Sequence, residues 1–163
     1  MFRRVGDECV ARFVPEVVDV LRQCLAELAA MISNDPDPDD PAVERLFPDV
    51  YPEDPAQEAE FRRFTEDDLR SAKLDQAKTM LADLLDSGGE VRLADERADL
   101  WLRALTDVRL VLGTRLGVED DTDLEAEIDA AVGRNPSSAH VRQLTVYQYL
   151  TELQGSLVEA LIG

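Results

Sequence analysis

Two cysteines and one histidine are the residues of this chain best suited to redox, nucleophilic or metal chemistry: Cys9, Cys24 and His140. A zinc site needs clustered ligands, usually pairs of cysteine or histidine at short spacing, and neither cysteine has such a neighbour. One histidine also does not complete a convincing Ser-His-Asp or Cys-His arrangement. The sequence therefore predicts no metal, no cofactor and no enzymatic activity.

The two cysteines remain candidates for redox chemistry. We expect Cys9 in a short strand near the surface. Cys24 is expected within the apolar stripe of a helix, where cysteine behaves as a small hydrophobic residue. In a cytoplasmic protein both thiols are reduced by default. An inert structural role for both cysteines is the alternative that the sequence leaves open.

Arg109 and Trp101 lie on one predicted helix, whose apolar residues recur at helical spacing. Arg109 is on or beside the apolar face, and a partly buried arginine needs an acidic partner or backbone acceptors. Because Asp107 points elsewhere on the same helix, we expect the partner to come from another helix in a structural ion pair. The alternative is a ligand pocket near Arg109 and Trp101.

Two clusters of acidic residues invite comparison with cation sites. Asp35, Asp37 and Asp39 have the alternating spacing that begins a calcium loop. That loop, however, needs glycine where Asp40 stands and glutamate where a leucine stands. Residues 119–123 directly precede a predicted helix, where negative charge is favoured by the helix dipole. Both clusters are therefore predicted to be solvated or structural rather than metal-binding.

The formal net charge of −18 excludes whole classes of partner, since 35 aspartates and glutamates stand against 17 lysines and arginines. Nucleic acids and anionic membranes attract proteins through Lys and Arg, so we expect no direct binding to either. A basic protein surface is the natural partner. The sequence lacks an apolar run of about 18 residues, and acids follow its N-terminal arginines. We therefore expect a cytoplasmic protein without a signal peptide.

The apolar pattern predicts a mainly α fold, which is a helical bundle with a minor N-terminal β-hairpin or a small three-stranded sheet. Residues 2–14 are expected to form the hairpin, with its turn at Gly6-Asp7, and residues 90–93 the third strand. Residues 1–163 are assigned to a single domain. Helices are predicted from Pro15 to about Ser33, from Thr65 to Ser87, from Trp101 to Gly117, from a T-x-x-E capping box at Thr122 to Gly133, and across Val146 to Leu161.

An acidic connector rich in proline is predicted at residues 34–60. It holds six of the eight prolines of the chain, and acids heavily outnumber its one base, Arg45. Proline opposes long helices and strand pairing, so we expect an extended segment with one short helical turn at residues 43–47. A helical pattern resumes near Glu58, and Thr65 is expected to be the N-cap of the helix that follows.

Several stretches of the sequence together resemble one known family. Residues 45–48 (RLFP) and 60–65 (EFRRFT) look like the first half of that family. Residues 101–117 (WLRALTDVRLVLGTRLG) look like its central signature, and residues 149–151 (YLT) belong to a stretch that looks like its C-terminal helix. On these residues the chain resembles the actinobacterial AosR family of oxidative-stress regulators over nearly its full length.

The resemblance implies a cytoplasmic transcriptional regulator that responds to oxidative stress, acts through a cysteine switch and contacts the transcription machinery, with a sigma factor as the candidate partner. It does not imply an enzyme. Cys9 and Cys24 would meet only if the hairpin packs over the first helix, with their Cα atoms within about 7 Å. Two alternatives stay open. One is a redox-silent adaptor or scaffold, as a homodimer that uses an exposed apolar helix face; the other is a small-molecule sensor with a pocket near Arg109.

Overall fold

The computed structural model describes residues 1–163, which form six helices and one small sheet. The predicted mainly α fold with a minor N-terminal sheet is confirmed. None of the helices combines the length and the apolar character that crossing a bilayer requires. The elements in chain order are β1 (Arg3–Val5), β2 (Glu8–Arg12), α1 (Pro15–Ser33), α2 (Pro41–Leu46), α3 (Pro55–Asp86), β3 (Glu90–Leu93), α4 (Asp95–Leu116), α5 (Leu124–Arg134) and α6 (Ala139–Ile162).

The sheet is antiparallel with the strand order β1-β2-β3, so β2 is its central strand. Gly6, with a φ of +60°, forms the tight turn of the predicted hairpin in a conformation that favours glycine. β3 pairs with the other side of β2, from Cys9 opposite Leu93 to Arg12 opposite Glu90. This third strand comes from a distant part of the chain and gives the short hairpin the support that an isolated hairpin lacks.

Trp101 joins the sheet to the helices. Its indole ring is fully buried, meets Phe2 edge-on at a centroid distance of 5.8 Å and stacks with Phe13 at 6.4 Å. Its Nε1 donates a hydrogen bond to Asp83 Oδ2 on α3 at 3.0 Å, so the buried nitrogen is satisfied. A second, smaller core attaches α5 to α6 and consists of Ala131, Val141 and Leu144.

α1 and α3 lie side by side in opposite directions. Near one end the N–H of Phe13 donates to the carbonyl oxygen of Gly89 at 2.7 Å, and near the other Arg70 pairs with Asp35 at 3.7 Å. Because α3 has 32 residues and α1 only 19, residues 55–69 of α3 extend beyond the end of α1. The predicted apolar stripe of α1 is buried at Leu21, Leu25, Leu28 and Ile32.

α3 begins earlier than predicted, and the expectation that Thr65 is its N-cap is wrong. The helix starts at Pro55, whose fixed φ suits a first turn, and Asp54 Oδ1 accepts the N–H of Gln57 at 3.1 Å. Thr65 lies inside the helix, where its Oγ1 donates to the carbonyl oxygen of Phe61 at 2.9 Å. The irregular chain before α3 therefore ends at its aspartate cap.

Aspartate also caps two of the other helices. Asp40 caps α2, which is the predicted short helical turn, through its side-chain oxygen. The capping box predicted at Thr122 is wrong, because Asp123 Oδ1 accepts the N–H of Ala126 at 3.1 Å and is the N-cap of α5. Thr122 Oγ1 instead accepts the N–H of Glu119 at 2.9 Å within the preceding turn.

One ion pair is buried between α3 and α4. Lys73 Nζ lies 2.8 Å from Asp107 Oδ1, and the Asp107 side chain is only 5% exposed. Burial raises the pKa of Asp107 above its ordinary value, while the hydrogen bond and the charge of Lys73 act to lower it. The second carboxylate oxygen of Asp107 has no hydrogen-bond partner. The buried carboxylate therefore depends on Lys73 alone.

Replacing Lys73 with Met is expected to lower the free energy of unfolding at neutral pH by about 3 kcal/mol, because Asp107 stays buried without its cation. A carboxyl group whose pKa is raised in the folded state costs stability when it ionises. The loss relative to the wild type should therefore shrink as the pH falls and Asp107 takes up a proton. Urea denaturation of both proteins across the acidic pH range measures this difference.

Two variants control this experiment. Lys78→Met, at an exposed position of the same helix, should leave stability within about 0.5 kcal/mol of the wild type. Adding Asp107→Asn to Lys73→Met should recover part of the loss, because the buried charge is gone. A Lys73→Met variant as stable as Lys78→Met would contradict the assignment of a buried ion pair.

Candidate functional site

Cys9 lies in the centre of the sheet, and the expectation that it is near the surface is wrong, since its exposed fraction is 0%. The strand that carries Cys9 has β1 on one side and β3 on the other. Cys9 Sγ accepts a hydrogen bond from Arg4 Nη1 at 3.8 Å, and the same nitrogen pairs with Asp95 at the start of α4. The thiol is therefore enclosed where the sheet meets α4.

Cys24 is half-buried on α1 and lines a groove of about 600 Å³ together with Leu112 of α4 and Val146 of α6. Burial, reinforced by the charge of Glu27, raises the pKa of the Cys24 thiol to about 11. The thiolate is the reactive form, and a thiol with this pKa is almost entirely protonated near neutral pH. Cys24 is therefore accessible from the groove but a slow nucleophile.

The two redox candidates lie toward opposite ends of α4. Arg4 contacts both Cys9 and Asp95, and Asp95 is the first residue of α4. Cys24 instead lines the same groove as Leu112, near the other end of α4. At a rise of about 1.5 Å per residue, these two positions of α4 are roughly 25 Å apart. The sheet packs mainly against α4 and α6, and both thiols are free. The fold thus does not bring the cysteines to the Cα separation of about 7 Å that a disulfide needs.

Arg109 has a partner on another helix, but this partner is an amide and not an acid. Arg109 Nη1 donates to Gln154 Oε1 on α6 at 2.6 Å, and its guanidinium lies 5.4 Å from the centre of the Tyr147 ring. Gln154 Nε2 in turn donates to Thr106 Oγ1 at 2.6 Å, which fixes the orientation of the amide. Gly113 makes room for this arrangement, because a Cβ there would lie 2.9 Å from Tyr147 Cε2.

A cleft of about 540 Å³ opens beside this network, and its lining includes Arg45, Arg109, Tyr147 and the acidic residues 119–121. The cleft therefore presents charges of both signs and one aromatic ring. The buried Nε of Arg109 has no hydrogen-bond partner. Trp101 does not line this cleft, because it is fully buried against the aromatic side chains of the sheet region. The structure thus separates Arg109 from Trp101.

The two acidic clusters form turns and helix caps. Asp37 Oδ1 accepts the N–H of Asp39 at 2.9 Å, and Asp40 caps α2. The second cluster contains Asp123, the N-cap of α5. No group of three or more histidine, cysteine, aspartate or glutamate side chains is placed to hold a metal ion.

Residues 47–70, which we call the acidic arm, overlap the acidic connector predicted at residues 34–60 and continue along α3, an extension that the sequence did not predict. Arg62 of α3 holds the arm together, because its Nη2 donates to the carbonyl oxygen of Phe47 at 2.7 Å and its Nε pairs with Glu58 Oε1 at 3.1 Å. Glu58 is buried, and its Oε2 accepts the N–H of Tyr51 at 2.6 Å. Three bases of the arm stand against eight acids, which are Asp49, Glu53, Asp54, Glu58, Glu60, Glu66, Asp67 and Asp68.

Apolar side chains are exposed along the acidic arm. Phe64 is 69% exposed, and Val50 and Leu69 are exposed as well. The rings of Tyr51 and Phe61 meet edge to face at a centroid distance of 5.7 Å. The sequence contained one signal for this surface, namely two phenylalanines three positions apart in a helical stretch rich in acids. It did not indicate that this stretch extends beyond the end of α1.

The two thiols should react very differently with a thiol reagent such as DTNB. In the native protein we expect slow modification of Cys24 alone, because Cys9 is closed to solvent. The rate should rise about tenfold per pH unit from neutral pH toward pH 10, as the thiolate fraction of a group with a pKa of about 11 does. Cys24→Ala should abolish the native reaction, and urea should expose Cys9. Rapid native labelling of Cys9 would contradict the structure.

Replacing Arg62 with Ala should release the chain before α3 from the helix. We expect the amides of residues 47–54 to exchange hydrogen at least about tenfold faster, because both the Phe47 contact and the support of Glu58 are lost. Hydrogen exchange followed by mass spectrometry measures this change. Arg63→Ala is the matched control, since Arg63 stacks over Phe64 at 5.2 Å and has no hydrogen bond to residues 47–54. Equal exchange in both variants would argue against the role of Arg62.

Comparison with known proteins supports the resemblance found in the sequence. Proteins of Mycobacterium bovis and Mycobacterium tuberculosis, each named "Oxidative stress regulator AosR", are 32% identical to this chain over 77% of its length. A relative from Mycobacterium leprae is 34% identical over the same share. The chain spans 60% of the length of these curated relatives. No solved structure matches it.

The predicted resemblance to the AosR proteins is therefore confirmed. The family match is broader still, because it runs from residue 1 to residue 161 and includes the sheet, all six helices and the acidic arm. The chain belongs to the family described as "Domain of unknown function (DUF2017)".

Proposed function

We propose that this protein is a non-enzymatic regulator of the response to oxidative stress, and that it works in the cytoplasm through contact with another protein. The observation that carries the proposal is its similarity to proteins named oxidative stress regulator. Because the chain spans 60% of the length of those relatives, the proposal concerns the part of the regulator that this fold represents.

The charge of the molecule supports a protein partner with a basic surface. A net charge of −18 repels nucleic acid at long range and accelerates association with a cationic surface. The acidic arm adds exposed apolar side chains to this charge, and such a combination is typical of a contact surface. A sigma factor or another component of the transcription machinery is the candidate partner.

Redox gating would act through Cys24, because it is the cysteine that lines a groove open to solvent. A disulfide within one folded chain is disfavoured by the separation of Cys9 and Cys24 along α4. A peroxide would first oxidise the Cys24 thiolate to a sulfenic acid and be reduced to water or an alcohol, and a thiol of another chain or of a small molecule would then displace water to form the disulfide. The raised pKa of Cys24 makes this a slow reaction near neutral pH.

A redox-silent adaptor is the second candidate function. The enclosed position of Cys9 and the raised pKa of Cys24 favour it, because neither thiol is activated. The two candidates share a protein partner and differ only in whether oxidation changes the affinity for it.

A capture experiment tests both candidates. The tagged full chain is incubated with purified sigma factors and with RNA polymerase of the same organism, once under reducing and once under oxidising conditions. We expect the wild type to retain at least one of these proteins. Gating predicts that oxidation changes the retained amount and that Cys24→Ser removes the change, whereas an adaptor without redox function predicts equal capture. If the protein retains no transcription component under either condition, the proposal is wrong.

A further inference from the structure

Two adjoining apolar grooves lie on the acidic arm. The first, of about 300 Å³, lies between residues 47–50 and α3, and Val50 and Leu69 contribute to its lining. The second, of about 260 Å³, is lined by Tyr51, Phe61 and Phe64. Phe61 lines both, so the two grooves form one continuous surface along α3. Apolar surface of this kind gains free energy when a partner removes it from water.

The charge along the acidic arm is negative in balance, with eight acids against three bases, one of which, Arg63, lies over the Phe64 ring at 5.2 Å. Glu60 lines one groove and Glu66 the other, and neither forms an ion pair within the chain. The nearby Arg62 already pairs with Asp49 at 2.6 Å and with Glu58 at 3.1 Å. An incoming group therefore meets apolar floors flanked by free carboxylates.

This combination selects one class of occupant. A second copy of the chain would bring the same carboxylates to the grooves and would be repelled, and nucleic acid would be repelled in the same way. A basic partner gains from both the apolar floor and the charged rim. Since the surface runs along a helix, an occupant that is itself a helix can place apolar side chains in both grooves at i, i+3, i+4 and i+7.

We propose that the acidic arm is the docking site for an amphipathic α-helix of a partner protein, with an apolar stripe flanked by Lys and Arg. The inference rests on the proposed function for the statement that the partner is a protein. Phe64 is the anchor, because it is 69% exposed and a large aromatic side chain contributes strongly to binding when a partner covers it. Glu60 and Glu66 select the basic flanks of the helix.

Fluorescence polarisation with labelled peptides tests this site directly. The probe is a synthetic helical peptide of about 18 residues with a leucine stripe and a lysine-rich polar face. One reference peptide has the same composition in an order that destroys the stripe, and another carries Glu in place of Lys. We expect the full-length protein to bind the probe and to bind both reference peptides much more weakly, and we expect salt to weaken binding of the probe.

Variants of the protein locate the binding. Phe64→Ala should weaken binding of the probe at least about tenfold, and Glu60→Gln with Glu66→Gln should weaken it severalfold. Leu85→Ala, an exposed apolar residue near the other end of α3, is the control for Phe64. Glu16→Gln with Glu152→Gln, at exposed positions on other helices, controls for the change in net charge. Because all these positions are at or near the surface, melting temperatures should stay close to that of the wild type.

Failure of the probe to bind would overturn the inference. Equal effects of Phe64→Ala and Leu85→Ala would do so too, as would equal affinity for the reference peptide whose order destroys the stripe. A dimer of the free protein that Phe64→Ala dissociates would also overturn it, since the arm would then be a self-interface. The titration needs no transcription component, so its outcome is separate from that of the capture experiment. If a sigma factor is captured and Phe64→Ala does not reduce the captured amount, the proposed function is supported and the docking site is rejected.

Discussion

A chain with a net charge of −18 repels itself on folding, and four of its 17 bases lie where that repulsion would separate neighbouring elements. Arg4 joins the sheet to α4, and Lys73 joins α3 to α4. Arg62 holds residues 47–51 against α3, and Arg70 links the end of α1 to the middle of the same helix. These four cations lie at junctions around a core that Trp101 connects to the sheet, and the Lys73–Asp107 pair is the most buried of them.

The apolar periodicity of the sequence predicted what depends on local pattern. The stripe of α1, the end of α4 at Gly117 with its φ of +70° and the strand at residues 90–93 all follow from spacing and turn chemistry. Capping was harder, because the adjacent Asp123 replaces Thr122 as the cap of α5, and α3 already begins after Asp54, well before Thr65. Local pattern alone does not decide such a competition.

The properties of the candidate sites came from contacts between distant parts of the chain. Cys9 is buried because β3, about 80 residues later, pairs with its strand, and a sequence window around Cys9 does not contain that information. Arg109 and Gln154 meet because α4 crosses α6 closely at Gly113. The acidic arm is exposed because α3 is longer than α1, which depends on where both helices end. The residue types at these sites were visible in the sequence, whereas their surroundings were not.

The length of α3 has a consequence for how such a protein changes over time. Its residues Ala77, Met80 and Leu84 are packed into the core, whereas residues 59–69 contain no fully buried side chain. Substitutions along this exposed stretch alter the shape and charge that a partner meets, whereas the contribution of α3 to the free energy of folding comes mostly from its buried half. One rigid helix thus separates the residues that must be kept for folding from those that can diverge, so that recognition can be altered while the core stays the same.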